Sequence, residues 1–210
     1  MTARPRPRRR RRPTPAVIVG TPVDETTIDP ATGAVRSAQT AELVLAARAL
    51  EEIWTPAHLE RLARTYWRFL ARVTGHLVTV RYAARERRVV ALGVLPLLVF
   101  GEPEYELGER RGLVRWRIER GLLVSRAGRG GQGHLEIEVV RLPADPGDPP
   151  GSARLRVAVE VASFHPSIAS AISRRAYEAT QSRLHVLVTR GFLRSLERLD
   201  LAPSRVGRFA

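Results

Sequence analysis

The chain has no cysteine, no lysine and no asparagine, one methionine, and only 6% aromatic residues among 210. Without cysteine it has no disulfide partners, no thiolate metal site and no thiol nucleophile, although this absence does not by itself fix the compartment. Lysine and asparagine share AT-rich codons, so their joint absence points to a GC-rich coding sequence. The arginine excess is discounted accordingly: all 35 basic residues are arginine, against 21 acids, for a net charge of +14. Long apolar runs are also missing. The longest, 89–100, contains Gly93 and Pro96 and is about half of the roughly 20 residues a bilayer-spanning helix needs. It reads as two buried strands joined at 93–96.

What is present begins with a basic arm. Seven arginines lie in residues 1–12, which leaves +7 for the rest of the chain. Pro5, Pro7 and Pro13 deny this arm a helix, so 1–15 is expected to be a disordered Arg/Pro-rich tail. A secretory signal would need an apolar stretch of roughly 7–15 residues after the basic region, and Thr21, Pro22 and Asp24 interrupt it. A cytoplasmic protein is therefore expected. Met1 is the only methionine, and the codon for Val17 or Val19 is an alternative start.

After a Pro/Thr/Asp-rich stretch with a turn at 29–33, helical periodicity begins. Thr40 is positioned to cap a helix to about residue 53, and Thr55-Pro56 marks a second start, with a capping hydroxyl before a proline at the first helical position. In this second helix Leu59, Leu62, Tyr66, Phe69, Leu70 and Val73 share one face, and Arg61, Arg64, Arg68 and Arg72 share the other. Such a stripe, with Trp67 beside it, suits an anionic membrane or a phosphate backbone; the alternative is an ordinary solvated face.

From 76 to 164 the pattern predicts strands at 76–82, 87–92, 95–100, a short piece at Tyr105, then 113–119, 122–126, 134–141 and 154–164. Arg115, Arg117 and Glu119 alternate with Val114, Trp116 and Ile118, and Glu136, Glu138, Arg154, Arg156 and Glu160 alternate with apolar neighbours. In an antiparallel sheet this gives a salt-bridged outer face and an apolar inner one. A final amphipathic helix is expected from Pro166 to about Leu199. Its inward face is apolar towards the C-terminus and polar at Tyr177, Gln181 and His185.

A strand, two helices, a run of antiparallel strands and a long C-terminal helix is an order that resembles the helix-grip proteins, the Bet v 1-like and START-like (SRPBCC) superfamily. The resemblance spans about 16–199 and rests on the order of elements alone, without a family motif. It implies an α+β fold, an antiparallel sheet wrapped around the long C-terminal helix and preceded by two helices. The expected layout is one domain over 16–201, with 202–210 as a tail. It also implies a cavity between sheet and C-terminal helix, with some members binding lipids, hormones or polyketides and others acting as cyclases.

The stretch 128–133 satisfies G-x-G-x-x-G, but a strand follows it, so no helix N-terminus is available for a pyrophosphate. Five histidines show no H-x-x-x-H pair, and no G-x-S-x-G elbow is present, so no metal or cofactor is expected. The candidate ligand-binding residues are Tyr177, Gln181 and His185, at i, i+4 and i+8, with Trp116 and His165 lining the same chamber. Plain core packing of these groups is the competing reading. If the site is catalytic, of a cofactor-independent cyclase or hydratase kind, His185 is the acid or base. The expected function is binding of a small apolar or amphipathic molecule. The alternatives are an anion-surface binding protein using the basic tail and the Arg61, Arg64, Arg68 and Arg72 stripe, and an interaction domain with a filled core.

Overall fold

The structure, a computed structural model, describes residues 16–83 and 85–165, together with 188, 191–194, 196 and 201–203. The described chain opens with a hairpin of β1 (Val17–Ile28) and β2 (Val35–Ala46), followed by the helices α1 (Ala47–Ile53) and α2 (Pro56–Val73). Seven strands complete it: β3 (Val78–Tyr82), β4 (Arg87–Ala91), β5 (Leu95–Phe100), β6 (Glu104–Leu107), β7 (Arg111–Arg120), β8 (His134–Leu142) and β9 (Ser152–Phe164). All pair antiparallel in a nine-stranded sheet of order β1-β2-β9-β8-β7-β5-β4-β3, with β6 added against β7. Among the described residues no helix is long and apolar enough to cross a membrane.

This architecture corrects the helix-grip expectation. The molecule is dominated by the sheet, and its longest described helix is α2, 18 residues in the middle of the chain, not a C-terminal helix wrapped by strands. Most of 166–199 lies outside the described residues. Of that segment 188, 191–194 and 196 are helical, and Val188, Phe192, Leu193 and Leu196 are buried. The expected tail at 1–15 and positions 204–210 also lie outside the described residues.

The expected helix from Thr40 to 53 is corrected as well: residues 35–46 form β2, and only Ala47–Ile53 is helical. The Ala, Glu and Leu of 41–46 favour a helix locally, but β2 is paired on both sides, to β1 and along its whole length to β9. Those ladders outweigh a preference of a few tenths of a kcal/mol per residue. The same pairing extends β1 over 12 residues. The Asp29 turn joins the pair, its carboxylate accepting from the N–H of Ala31 at 2.8 Å and of Thr32 at 3.3 Å. The strand expected at 122–126 is absent, replaced by a turn, a lone bridge at Val124 and a 3-10 turn at Arg126–Gly128.

The outer face of the sheet carries the expected Arg/Glu ladder. Arg115 meets Glu136 at 2.6 Å, Arg111 meets Glu138 at 2.7 Å, and Arg36 meets Glu160 at 2.5 Å. Glu136 and Glu160 are direct cross-strand neighbours, so each needs its own arginine to offset like-charge repulsion. Arg154 forks onto Asp148 at 2.7 and 3.0 Å and reaches Glu42 at 2.8 Å, which ties the 142–152 connection down.

On the inner face, α2 is seated by aromatic rings. Trp67 meets Trp116 edge-on at 5.3 Å, Phe100 at 5.4 Å and Tyr66 at 5.2 Å, and Tyr66 in turn meets Phe192 at 5.7 Å. Trp116 is 1% exposed. Edge-to-face pairs of this kind add about 0.5–1.5 kcal/mol each beyond the area they bury. Trp116→Ala is therefore expected to lower unfolding free energy by about 3–5 kcal/mol in urea denaturation; a loss below about 1 kcal/mol would show that the ring is not the seat of the helix.

Candidate functional site

The inner face is not filled evenly. Trp116 and its aromatic partners close the middle of the sheet, while towards the α1–α2 corner the side chains become small and leave a recess, with a cavity volume of about 80 Å³, that opens to solvent. Its floor is a cross-strand row of Gly112, Val139 and Val157, followed by the pair Leu155 and Leu43. Leu50 and Ile53 of α1 and Leu59 and Leu62 of α2 form the walls, and Leu107 of β6 and Leu201 add to the rim.

Gly112 gives the recess its depth. On the same face of β7 the next inward positions are Val114 and Trp116, but a Cβ on Gly112 would project to 3.2 Å from Leu107 Cδ1 and 3.7 Å from Leu59 Cδ1. A glycine inside a strand weakens the strand and commonly marks a place where something else must come close to the backbone.

Three polar-bearing residues line the recess, and two are committed to structure. Trp54 Nε1 donates to the carbonyl of Gly108 at 2.8 Å, while the Arg141 guanidinium lies 4.3 Å from its ring centroid. Thr55 caps α2, its Oγ1 accepting from the N–H of His58 at 3.3 Å and lying 2.8 Å from His58 Nδ1. A hydroxyl that accepts from the backbone can donate to Nδ1, and in that arrangement the neutral ring carries its proton on Nε2. Burial, and secondarily the nearby charge of Arg61, hold the His58 pKa below its ordinary 6.5. His58 is thus a neutral imidazole on the wall of an apolar chamber, with Nε2–H left as a hydrogen-bond donor. It is the one titratable side chain among the described lining residues.

None of the residues singled out by sequence is among the described lining of the recess. Tyr177, Gln181 and His185 lie outside the described residues. Trp116 is buried in the aromatic seat and does not line the recess. His165 follows β9, where its carbonyl accepts from the N–H of Ser125 at 2.9 Å, and it does not line the recess either. The chamber expected of Trp116 and His165 with Tyr177, Gln181 and His185 involves residues outside the described ones. Sequence reasoning missed His58, whose signal was its place three residues after the capping Thr55, and Gly112, whose signal was an isolated glycine in an apolar strand.

The arginine stripe is partly engaged. Arg61 Nε donates to the carbonyl of Ala202 at 3.0 Å, and Arg64 lies 3.7 Å from Glu60 and 5.4 Å from the Tyr82 ring centroid. Arg72 is exposed at the end of α2, against Phe69.

No protein-family model matches the chain, and no curated protein is significantly similar to it.

The lowered pKa of His58 has a signed consequence. Between its folded value and 6.5 the unfolded chain binds more protons than the folded one, so stability rises with pH across that window and is complete above it. Melting temperature is expected to fall as pH drops below 6.5, and His58→Gln, which keeps a donor but cannot titrate, should flatten that part of the profile. An unchanged slope in the variant would place the titrating group elsewhere.

Proposed function

We propose that the protein binds a small apolar or amphipathic molecule in the recess between the sheet and the α1–α2 corner. The observation that carries this is an apolar recess with a cavity volume of about 80 Å³, walled by aliphatic side chains and bearing one titratable group, His58. Small-molecule sites are mostly apolar, with few orienting polar groups. A ligand burying about 200 Å² of apolar surface would gain about 5 kcal/mol from desolvation. That gain alone corresponds to a Kd of about 0.2 mM, and the cost of association weakens it further.

The role of His58 defines the ligand class. A neutral Nε2–H donates, so the matching group is an acceptor, a carbonyl, ether or hydroxyl oxygen, at one end of an otherwise apolar body.

The test is titration with the neutral fluorophore N-phenyl-1-naphthylamine. Gly112→Val should fill the floor with a residue that strands favour, and its nearest neighbour, the end of the Leu107 side chain, can move aside. Affinity is expected to fall at least about tenfold, the loss of roughly two buried methyl groups of contact, with melting temperature held or raised. Equal affinity in the variant and the parent would place binding outside the recess.

A further inference from the structure

The opposite end of α2 reaches a different surface. Six aliphatic side chains there face solvent: Val73 at the end of α2, Leu77, Leu92, Val94 and Leu95 around the β4–β5 turn, and Leu122 after β7. They are contiguous, because the N–H of Leu92 donates to the carbonyl of Leu77 at 2.8 Å and the N–H of Leu122 to that of Pro96 at 3.1 Å.

The turn between β4 and β5 is built against local preference. Leu92 and Gly93 both have positive φ, +49° and +76°, and the N–H of Val94 closes the turn on the carbonyl of Ala91 at 3.1 Å. Positive φ at both central positions is the type I′ pattern, which Asn, Asp or Gly adopt at ease and a leucine does not. Glycine codons are GC-rich, so codon supply does not account for a leucine here. Leu92 is 73% exposed and Val94 80%, so burial in the fold does not account for it either.

Charge completes the surface. Segments 61–85, 87–101 and 120–135 contain no Asp or Glu. Arg72 and Arg81 are exposed there, Arg81 Nη2 lying 3.8 Å from where a Cβ on Gly93 would stand, and no ion pair links either to an acid among the described residues. Arg111, Arg115 and Arg117 of the outer sheet face are, by contrast, matched with glutamates.

We infer that this end of the molecule docks on an anionic lipid bilayer, the Leu92–Gly93–Val94 turn entering the acyl region and the arginines meeting lipid phosphates. Aliphatic tips ringed by arginines fit that interface, where apolar side chains and cations are both accommodated. A nucleic acid would satisfy the arginines and leave six aliphatic side chains in water. The inference is independent of the recess: either can hold without the other.

The absence of cysteine makes the test direct. Val94→Cys and, as a control in the connection at the far end of β8, Ala144→Cys are each labelled with an environment-sensitive fluorophore in the full chain. Each is mixed with phosphatidylcholine vesicles with and without phosphatidylglycerol. The label at 94 is expected to brighten and shift to the blue only with the anionic vesicles, while the label at 144 stays unchanged. Leu92→Asn relaxes the turn, so it should hold or raise the melting temperature while reducing partition into anionic vesicles at least about tenfold. The inference is overturned if the chain co-sediments with vesicles while the label at 94 stays in water, which would assign binding to the basic arm. It is equally overturned if Leu92→Asn partitions as the parent does, or if duplex DNA rather than vesicles changes the label at 94.

Discussion

Everything else in this molecule hangs on the contact of Trp67 with Trp116 and Phe100. It fixes where α2 crosses the inner face of the sheet, and it does so near the middle of the helix. The N-terminal turn of α2 is thereby held over Gly112 and Leu155, where Thr55 and His58 become walls of the recess. Its last turn is held beside the β4–β5 end, where Val73 joins the exposed aliphatic rim. One packing decision sets both surfaces, separated by the roughly 27 Å that 18 helical residues span.

The sheet divides its labour between faces in a comparable way. Outside, paired arginines and glutamates face water and contribute little stability each, but they give a polar surface to a wide sheet that is covered by helix on its inner face. Inside, the gradient from Trp116 through Val114 to Gly112 along a single strand runs from closed core to open chamber. The recess is thus written in side-chain volume and not in chemical groups. The one retained polar group is kept neutral by burial, as an apolar chamber requires, since a charged imidazole there would carry an uncompensated desolvation cost.

How much of this was legible follows from the kind of signal involved. The Thr55-Pro56 start, the Asp29 turn, β4, β5, β7, β8 and β9, and the Arg/Glu outer face rest on local spacing and on turn and cap chemistry, and sequence conveys these well. β2 was not legible, because its Ala- and Leu-rich run favours a helix locally and becomes a strand only once β1 and β9 flank it. The helix-grip expectation gave the C-terminal segment the place that α2 takes. The site escaped for a related reason: aliphatic side chains from α1, α2 and four strands converge on it, and none announces a function alone. Polar residues on an expected helix drew attention instead. The apolar run at 89–100 was read as two buried strands; the strands are there, but their joining turn is among the most exposed parts of the described chain.

The central claim is that the small residues under the α1–α2 corner leave a chamber for a molecule and not merely an imperfect core. Native mass spectrometry of freshly purified protein, before and after incubation with medium-chain fatty alcohols and their methyl esters, addresses it most directly. The account predicts a one-to-one adduct, co-purified or taken up on incubation, that is lost in Gly112→Val. A bare chain mass under every condition, or adducts that form equally on the filled variant, would contradict it.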